Sequence, residues 1–231
     1  MCGRYRLSRA AEVFSEYFGS DDLVEWSPRF NIAPTQPVPV VRQESHKRRV
    51  SLVKWGLIPS WSNDPTLGAK MINARAETVT EKPAFRDALR SQRCLIPADG
   101  FYEWQRTGGS KQPYCFTLAS GKPFAFAGLW DCWRNPQGNV IESCTILTTT
   151  ANPLLADVHD RMPVMLAPDQ YDRWLDLDMK NPGAVLPLLR PYEAAAMTRY
   201  AVSTRVNQVA NDDPACAAPA HEAGPAQSRL F

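Results

Sequence analysis

Five apolar β-type segments follow one another between residues 94 and 150, and they constrain the fold more than any other feature of the chain. Each segment is short, rich in aromatic and β-branched residues, and bounded by a turn dipeptide such as Asp-Gly, Gly-Gly or Ser-Gly. Segments closed by glycine-containing turns are typical of antiparallel hairpins. The sequence therefore predicts a curved antiparallel sheet made of CLIP, GFYEWQR, PYCFTLA, PFAFAGLWDCW and VIESCTILTTT.

Short helices and further strands are expected around this sheet. Apolar residues recur at helical spacing in 9–18, with Ser8 as a candidate N-cap and Gly19 as the stop. The same spacing returns in 83–91. Strands are also expected at 38–42, 50–58 and 199–207, and short helices at 151–159 and 168–176.

Length and composition indicate a single soluble domain. The chain has 231 residues, of which 44% are hydrophobic and 22% charged, as in an ordinary globular protein. We expect an α+β fold over residues 1–210, with a barrel-like, mainly antiparallel sheet, and a disordered Ala/Pro-rich tail over 211–231. No apolar run approaches the roughly 20 residues that cross a bilayer, and MCGRYRLSRAAEVF does not resemble a secretory signal. A cytoplasmic monomer without membrane contact is expected.

The cysteines and the net charge exclude two classes of protein. The six cysteines are scattered and form no short-interval cluster with histidines, whereas a zinc site needs such clusters. We therefore expect neither a metal nor another cofactor. The net charge of +2 excludes a strongly basic nucleic-acid binder. Four cysteines are expected to be small buried apolar residues: Cys94, Cys115, Cys132 and Cys144.

The first five residues, MCGRY, place a cysteine directly behind the initiator methionine. Removal of Met1 would give Cys2 a free α-amine and a thiol on adjacent carbons, a 1,2-aminothiol. The alternative is an apolar cysteine that merely begins a strand. The residue alone leaves both interpretations open.

Three further segments place polar groups where the apolar pattern predicts core. In MINARAET, an extended chain would put Asn73, Arg75 and Glu77 on one face, and a solvated strand face is the alternative. In ADGFYEW, Glu103 lies among three aromatic residues, which would desolvate its carboxyl group and raise its pKa, and an exposed glutamate on an amphipathic strand is the alternative. In DVHDRMPVML, His159 is placed to act as an acid or base near neutral pH, although a lone histidine is often structural.

Trp61 lies in the hydrophilic loop PSWSNDP. An exposed aromatic ring in such a loop is a good stacking platform for unpaired bases. Packing of the ring back onto the domain is the alternative.

Six motifs occur in the order found in the SOS-response-associated peptidase (SRAP) family, and the chain resembles that family from residue 2 to about residue 206. The resemblance implies a protein that binds single-stranded DNA containing an abasic site and cross-links itself to the lesion through Cys2. The aldehyde of the open sugar would condense with the α-amine, and the thiol would close a thiazolidine ring. The motifs are MCGRY, RFNIAPTQ, WGLIPSW, INARAET, ADGFYEW and HDRMP.

The resemblance also implies roles for individual residues. Asn73 would orient the amine or the sugar, Glu103 would move protons, and His159 would act as a second acid or base. Reference pKa values near 8 for an α-amine and 8.5 for a thiol predict useful fractions of both nucleophilic forms. The flanking phosphates would be bound by Arg4, Arg75, Arg86 and Arg161, and the bases would stack on Trp61. The family name adds a self-processing peptidase activity that removes Met1, although methionine aminopeptidase also accepts a small second residue.

Two other functions remain open. Class II glutamine amidotransferases also begin with Met-Cys-Gly and use the cysteine thiol as nucleophile, but their glutamine-binding and oxyanion segments are not found here. A non-catalytic single-stranded DNA-binding module would use the arginines and Trp61, with Cys2 incidental. The two DNA-binding hypotheses differ in whether a denaturant-resistant adduct forms with abasic DNA.

Overall fold

β-strands dominate the fold, as the run of apolar β-type segments predicts. The computed structural model describes residues 2–22, 24–176 and 178–220 of the chain. Its strands are β1 (Tyr5–Leu7), β2 (Arg29–Ile32), β3 (Pro37–Glu44), β4 (Lys47–Trp55), β5 (Asn73–Arg75), β6 (Arg93–Ala98), β7 (Gly100–Thr107), β8 (Ser110–Leu118), β9 (Phe124–Arg134), β10 (Val140–Thr150), β11 (Arg161–Pro163), β12 (Met165–Leu166) and β13 (Met197–Ala201). Its α-helices are α1 (Val13–Phe18), α2 (Arg86–Ser91) and α3 (Tyr171–Leu175).

Five of these strands close into a barrel. Their order is β10-β4-β3-β6-β9, and the barrel closes because β9 pairs again with β10. The β4–β10 pair is parallel and the other four pairs are antiparallel. Buried aliphatic and aromatic side chains of these strands form the main core. The predicted α+β fold with a barrel-like, mainly antiparallel sheet is confirmed.

A second, antiparallel sheet in the order β13-β8-β7-β1-β2 carries the start of the chain. The predicted hairpin turn at Asp99-Gly100 is wrong, because β6 belongs to the barrel and β7 to this second sheet. Asp99 holds the corner by accepting hydrogen bonds from the Ser8 main-chain N–H (2.9 Å) and hydroxyl (2.6 Å). Since Ser8 is used in this way it does not cap α1, which begins only at Val13.

The helices are shorter than the sequence predicts. The helix expected over 9–18 is confined to Val13–Phe18, with Gly19 as its left-handed C-cap, and 151–159 forms turns. Within the described residues, no helix combines the length and apolar character that a membrane crossing requires. Short 3-10 helices complete the structure at Pro65–Lys70, Ala76–Thr78, Pro168–Gln170, Pro182–Ala184, Leu186–Leu188, Ala194–Ala196, Thr204–Asn207 and Pro214–Cys216.

The C-terminal region differs from the predicted tail. Residues 211–220 lie against the domain, and the Asp212 carboxylate accepts hydrogen bonds from the main-chain N–H groups of Phe30 (2.6 Å) and Asn31 (2.8 Å). These bonds satisfy the exposed edge of β2, which explains why a polar, proline-rich segment is ordered. The rest of the predicted tail, 221–231, lies outside the described residues.

All six cysteines are described and free. Cys94, Cys115 and Cys144 are buried as predicted, whereas Cys132 is only half-buried, so its predicted burial is wrong. Cys216, expected in the disordered tail, is buried against the second sheet.

Candidate functional site

The pairing of β1 with β7 brings the start of the chain to Glu103. Tyr5 lies opposite Phe101, and the Tyr102 N–H donates to the carbonyl oxygen of Arg4 at 3.0 Å. Because antiparallel strands run past each other residue by residue, the next residues towards the N-terminus extend along Glu103. The register of β1 against β7 therefore places Cys2 near the Glu103 carboxyl group.

Cys2 is fully buried. Burial, and then the negative charge of Glu103, raise the pKa of its thiol far above the usual value. The useful thiolate fraction predicted from reference pKa values concerns Cys2 after removal of Met1 and stays a prediction; in the chain that begins with Met1, burial favours the protonated thiol. The thiol is held as S–H, and its use as a nucleophile requires a base beside it.

Glu103 is the titratable side chain whose charge acts on the Cys2 thiol. Its side chain is only 3% exposed, and burial raises its pKa to about 7, with a further contribution from the charge of Asp160. The alternation of β7 explains the burial: Phe101 belongs to the main core and Tyr102 to a second cluster on the other side. The predicted desolvation of this carboxyl group is confirmed, and a pKa near 7 suits proton transfer at neutral pH.

His159 reaches the site from the turns at 151–160. Its Nδ1 accepts a hydrogen bond from the Arg161 main-chain N–H at 3.0 Å and lies 2.9 Å from Asp160 Oδ1. Burial lowers the pKa of the imidazole below its usual value. When the neutral ring accepts this bond at Nδ1, its proton is on Nε2.

Asn73 begins β5, which runs parallel to β10 and pairs Asn73 with Ile146. The Asn73 amide donates from Nδ2 to the carbonyl oxygen of Ile72 (2.9 Å), which also accepts from Trp55 Nε1 (2.9 Å). Asn73 Oδ1 is buried, and no described residue donates to it. A buried acceptor without a donor costs about 1–3 kcal/mol, so a ligand N–H or O–H at this position would be stabilising.

Arg161 is paired within the protein. Its guanidinium donates to both carboxylate oxygens of Glu77 (3.1 and 2.9 Å) and to the carbonyl oxygen of Thr148 (2.7 Å). The hydrogen bond from Arg161 lowers the pKa of Glu77 below its usual value. Arg161 thus ties β10 and β11 to the segment that follows β5.

Arg75, by contrast, is exposed. The predicted common face of Asn73, Arg75 and Glu77 is only partly correct, because β5 ends at Arg75 and Glu77 lies in a 3-10 turn. The strand alternation is lost at that point. The exposed cation of this segment is Arg75, beside the Arg161–Glu77 pair.

Trp61 is 59% exposed. Its loop is nevertheless firmly anchored: the Ser60 N–H donates to Asp131 (2.8 Å), and the Trp133 indole donates to the carbonyl oxygen of Ser62 (2.7 Å). The alternative in which the ring packs onto the domain is therefore wrong. A rigid loop that presents an exposed indole is suited to stacking.

Arg4 and Arg86 are the other two arginines predicted to bind phosphate, and neither is placed as Arg75 is. Arg4 is half-buried and donates to Asn31 Oδ1 and to the carbonyl oxygen of Val206, each at 2.7 Å. It therefore holds the N-terminal strand against the C-terminal segment. Arg86 is exposed at the start of α2, 3.7 Å from Asp87.

The profile of the SOS response associated peptidase (SRAP) family matches residues 1–209, which is nearly all of the described chain. The chain belongs to the SRAP family. The resemblance read from the motifs is thereby confirmed.

Relatives within the SRAP family carry informative names. The chain is 44% identical to the abasic site processing protein YoqW of Bacillus subtilis, over 93% of this chain and 97% of the relative. It is 32% identical to the abasic site processing protein HMCES of Gallus gallus, over 95% of this chain and 78% of the relative. A crystal structure of a Bacteroides thetaiotaomicron protein superposes with a TM-score of 0.87 at 27% identity, covering 95% of this chain and all of that one.

Sequence reasoning missed one contributor to this SRAP site. Asp160 contacts His159 and raises the pKa of Glu103, and its position within the HDRMP motif was the available signal. No group of three or more potential metal-ligating side chains occurs among the described residues.

Proposed function

We propose that this protein processes abasic sites in single-stranded DNA by cross-linking itself to them through Cys2. The names of the SRAP relatives support abasic sites as the substrate. The observation that carries the chemistry is the buried Cys2 thiol beside Glu103, whose pKa is raised to about 7. A protonated thiol next to a carboxyl group with a pKa near 7 is well placed for nucleophilic attack, with the carboxylate acting as the base.

The chemistry begins when removal of Met1 exposes the α-amine of Cys2. The amine adds to the C1′ aldehyde of the open sugar, and loss of one water gives an imine. The Cys2 sulfur then adds to the same carbon while its proton passes to the imine nitrogen, directly or through a side chain. The product is a five-membered thiazolidine, and the overall reaction releases one water and needs no oxidant or cofactor.

Glu103 moves the protons in both steps. As a carboxylate it takes a proton from the ammonium or from the thiol, and as a carboxylic acid it protonates the departing hydroxyl group. A pKa of about 7 keeps both forms populated at neutral pH. His159 would donate from Nε2 to a sugar hydroxyl, and Asn73 Oδ1 would accept from the amine or from that hydroxyl.

The DNA strand would follow β10. The Trp61 loop is anchored near Ser143 through the hydrogen bond from the Ile58 N–H (2.8 Å), and Arg75 pairs with Thr148 further along. Five strand residues span about 17 Å, so on this path the Trp61 indole and the Arg75 guanidinium would contact the strand a few nucleotides apart. Arg86 would add a peripheral phosphate contact, while Arg161 and Arg4 act mainly by holding Glu77 and the N-terminal strand.

A gel and a mass measurement test the proposal together. Incubation with an oligonucleotide that contains one abasic site should give a band that survives denaturant, absent with intact DNA. The intact mass should show the loss of Met1 and a one-to-one adduct less one water. Binding without any denaturant-resistant band would instead support the non-catalytic DNA-binding module.

The origin of the free N-terminus can be tested in the same material. We propose that the chain removes its own Met1, using Glu103 as the proton-transfer group. A Glu103→Gln protein produced in cells that lack methionine aminopeptidase activity should then retain Met1. Complete loss of Met1 from this variant would assign the removal of Met1 to another enzyme.

Arg75→Ala should weaken binding to single-stranded DNA and flatten its salt dependence. Loss of one phosphate contact reduces the slope of log K against log salt by about 0.7 for a single strand. Fluorescence anisotropy over a salt series measures this slope. Arg49→Ala, which removes an exposed arginine paired with Asp22, serves as the control, and an unchanged slope for Arg75→Ala would remove it from the phosphate contacts.

Trp61→Ala should weaken binding of a single strand by about 1–3 kcal/mol, because it removes a base-stacking surface. Trp61→Phe should retain much of the affinity. Leu52→Ala, at a side chain that is 45% exposed, controls for loss of exposed apolar surface. Equal affinities for wild type and Trp61→Ala would exclude stacking at this loop.

A further inference from the structure

Glu103 and His159 belong to different elements, so something must fix the distance between them. Glu103 lies on β7, whereas His159 lies in the turns at 151–160, which belong to neither sheet. Segments of this kind open more easily than strands unless tertiary contacts hold them. Asn152 and the buried Leu155 hold its first half, where the Asn152 amide donates to the carbonyl oxygen of Tyr192 at 2.8 Å. Nearer to His159, two side chains from the second sheet bind Asp157.

Gln105 makes the first of these contacts. It is two residues beyond Glu103 on β7 and therefore shares its face of the sheet. Its side chain donates from Nε2 to the carbonyl oxygen of Asp157 at 3.1 Å. The strand that carries Glu103, the proposed base, is thus hydrogen-bonded to the segment that carries His159.

Arg199 makes the second contact, from β13. Its guanidinium binds both carboxylate oxygens of Asp157, with Nη2 donating to Oδ2 at 2.8 Å, and also donates to the carbonyl oxygen of Leu154 at 3.0 Å. Arg199 is packed over the ring of Tyr114, 5.3 Å from its centroid. Tyr114 pairs with Glu103 across β7 and β8. Arg199 therefore packs on a direct neighbour of Glu103.

We propose that the Gln105–Asp157–Arg199 bridge sets the position of His159 relative to β7, the strand of Glu103, which makes Gln105 and Arg199 positioning residues for the cross-linking reaction. The inference rests on the proposed function, but the bridge itself has readouts that do not depend on it. Two contacts at one residue fix a short segment better than either alone, since each removes freedom that the other leaves. Neither Gln105 nor Arg199 touches the reacting atoms.

Amide hydrogen exchange and histidine titration test the bridge directly. The His159 N–H donates to the carbonyl oxygen of Leu155 at 2.9 Å, so its exchange reports opening of this turn. Gln105→Ala should speed this exchange about fivefold, as expected for loss of one hydrogen bond, and Arg199→Ala should speed it more, because it removes the ion pair with Asp157 and the hydrogen bond to Leu154. The double variant should speed it more than either, and the His159 pKa should return towards its usual value.

The adduct should then form more slowly in the variants, with affinity for intact single-stranded DNA unchanged. Arg199→Lys should restore part of the rate, because it keeps the charge opposite Asp157. Arg106→Ala, at the next residue of β7, is the matched control and should leave exchange and rate unaltered. Should Arg199→Ala fail to fold, Asp157→Asn breaks the same ion pair from the exposed side.

Two failures are distinguishable. Unchanged exchange and unchanged His159 titration in the double variant would overturn the bridge, whatever the activity. A wild-type protein that forms no adduct would overturn the proposed function, while the exchange data would still decide the bridge.

Discussion

Cys2→Ser should abolish the denaturant-resistant adduct with abasic DNA. The serine hydroxyl is a much weaker nucleophile than a thiol near neutral pH, so the ring-closing step that makes the linkage durable fails. The α-amine is still present, however, and can still condense with the aldehyde. The expected product is a reversible imine, which borohydride should trap as a stable band.

This pair of outcomes separates the two nucleophiles of residue 2. Affinity for intact single-stranded DNA should be close to that of wild type, because the buried Cys2 thiol is not part of the proposed binding surface. A wild-type yield of adduct without borohydride would rule out the thiazolidine. A variant that gives no band even with borohydride would indicate that the amine is not the first nucleophile.

Glu103→Gln should slow adduct formation by about 10²-fold or more, the usual contribution of a positioned acid or base. In wild type the rate of the base-assisted step should rise with pH through an inflection near 7, as Glu103 ionises. The variant should lack this inflection. Single-turnover gels across pH 5.5–8.5 measure both effects, and an inflection retained in the variant would assign it to another group.

The same substitution should stabilise the fold at high pH. Glu103 has a folded pKa of about 7 against an ordinary value of 4.5, so the folded protein disfavours the ionised form. The free energy of unfolding therefore falls as pH rises from about 4.5 through 7, by up to roughly 3 kcal/mol for this group. Glutamine carries no charge, so Glu103→Gln should have the higher Tm at pH 8 and little advantage at pH 4.5. A lower Tm at pH 8 would contradict the burial argument.

The local sequence pattern was sufficient to predict the strands but not which strands pair with one another. The alternation in GFYEWQR placed Phe101 and Glu103 on one face of a strand, and the structure agrees. It could not show that Asp99-Gly100 is a corner between two sheets, because glycine-containing dipeptides suit either arrangement. What decides between them is Ser8, some 90 residues away, whose N–H and hydroxyl bind the Asp99 carboxylate.

The same limit explains the arginines. Arg75 and Arg161 are the same residue type, yet Arg75 is exposed and Arg161 is held by Glu77 and Thr148. Arg4 is half-buried against Val206, a residue from the far end of the chain. Charge predicts the capacity to bind phosphate, while availability depends on partners that are distant in sequence.

The family, the β-rich fold and the candidate reactive groups could be predicted from the sequence, since motif order, periodicity and side-chain chemistry are local properties. The environment of those groups is set only in the folded chain. The Cys2 thiol is protonated and Glu103 has a pKa of about 7 because strand pairing buries both together. Asp157 matters because β7 and β13 both reach it. Burial and proximity arise from contacts between remote segments, so no local pattern specifies them.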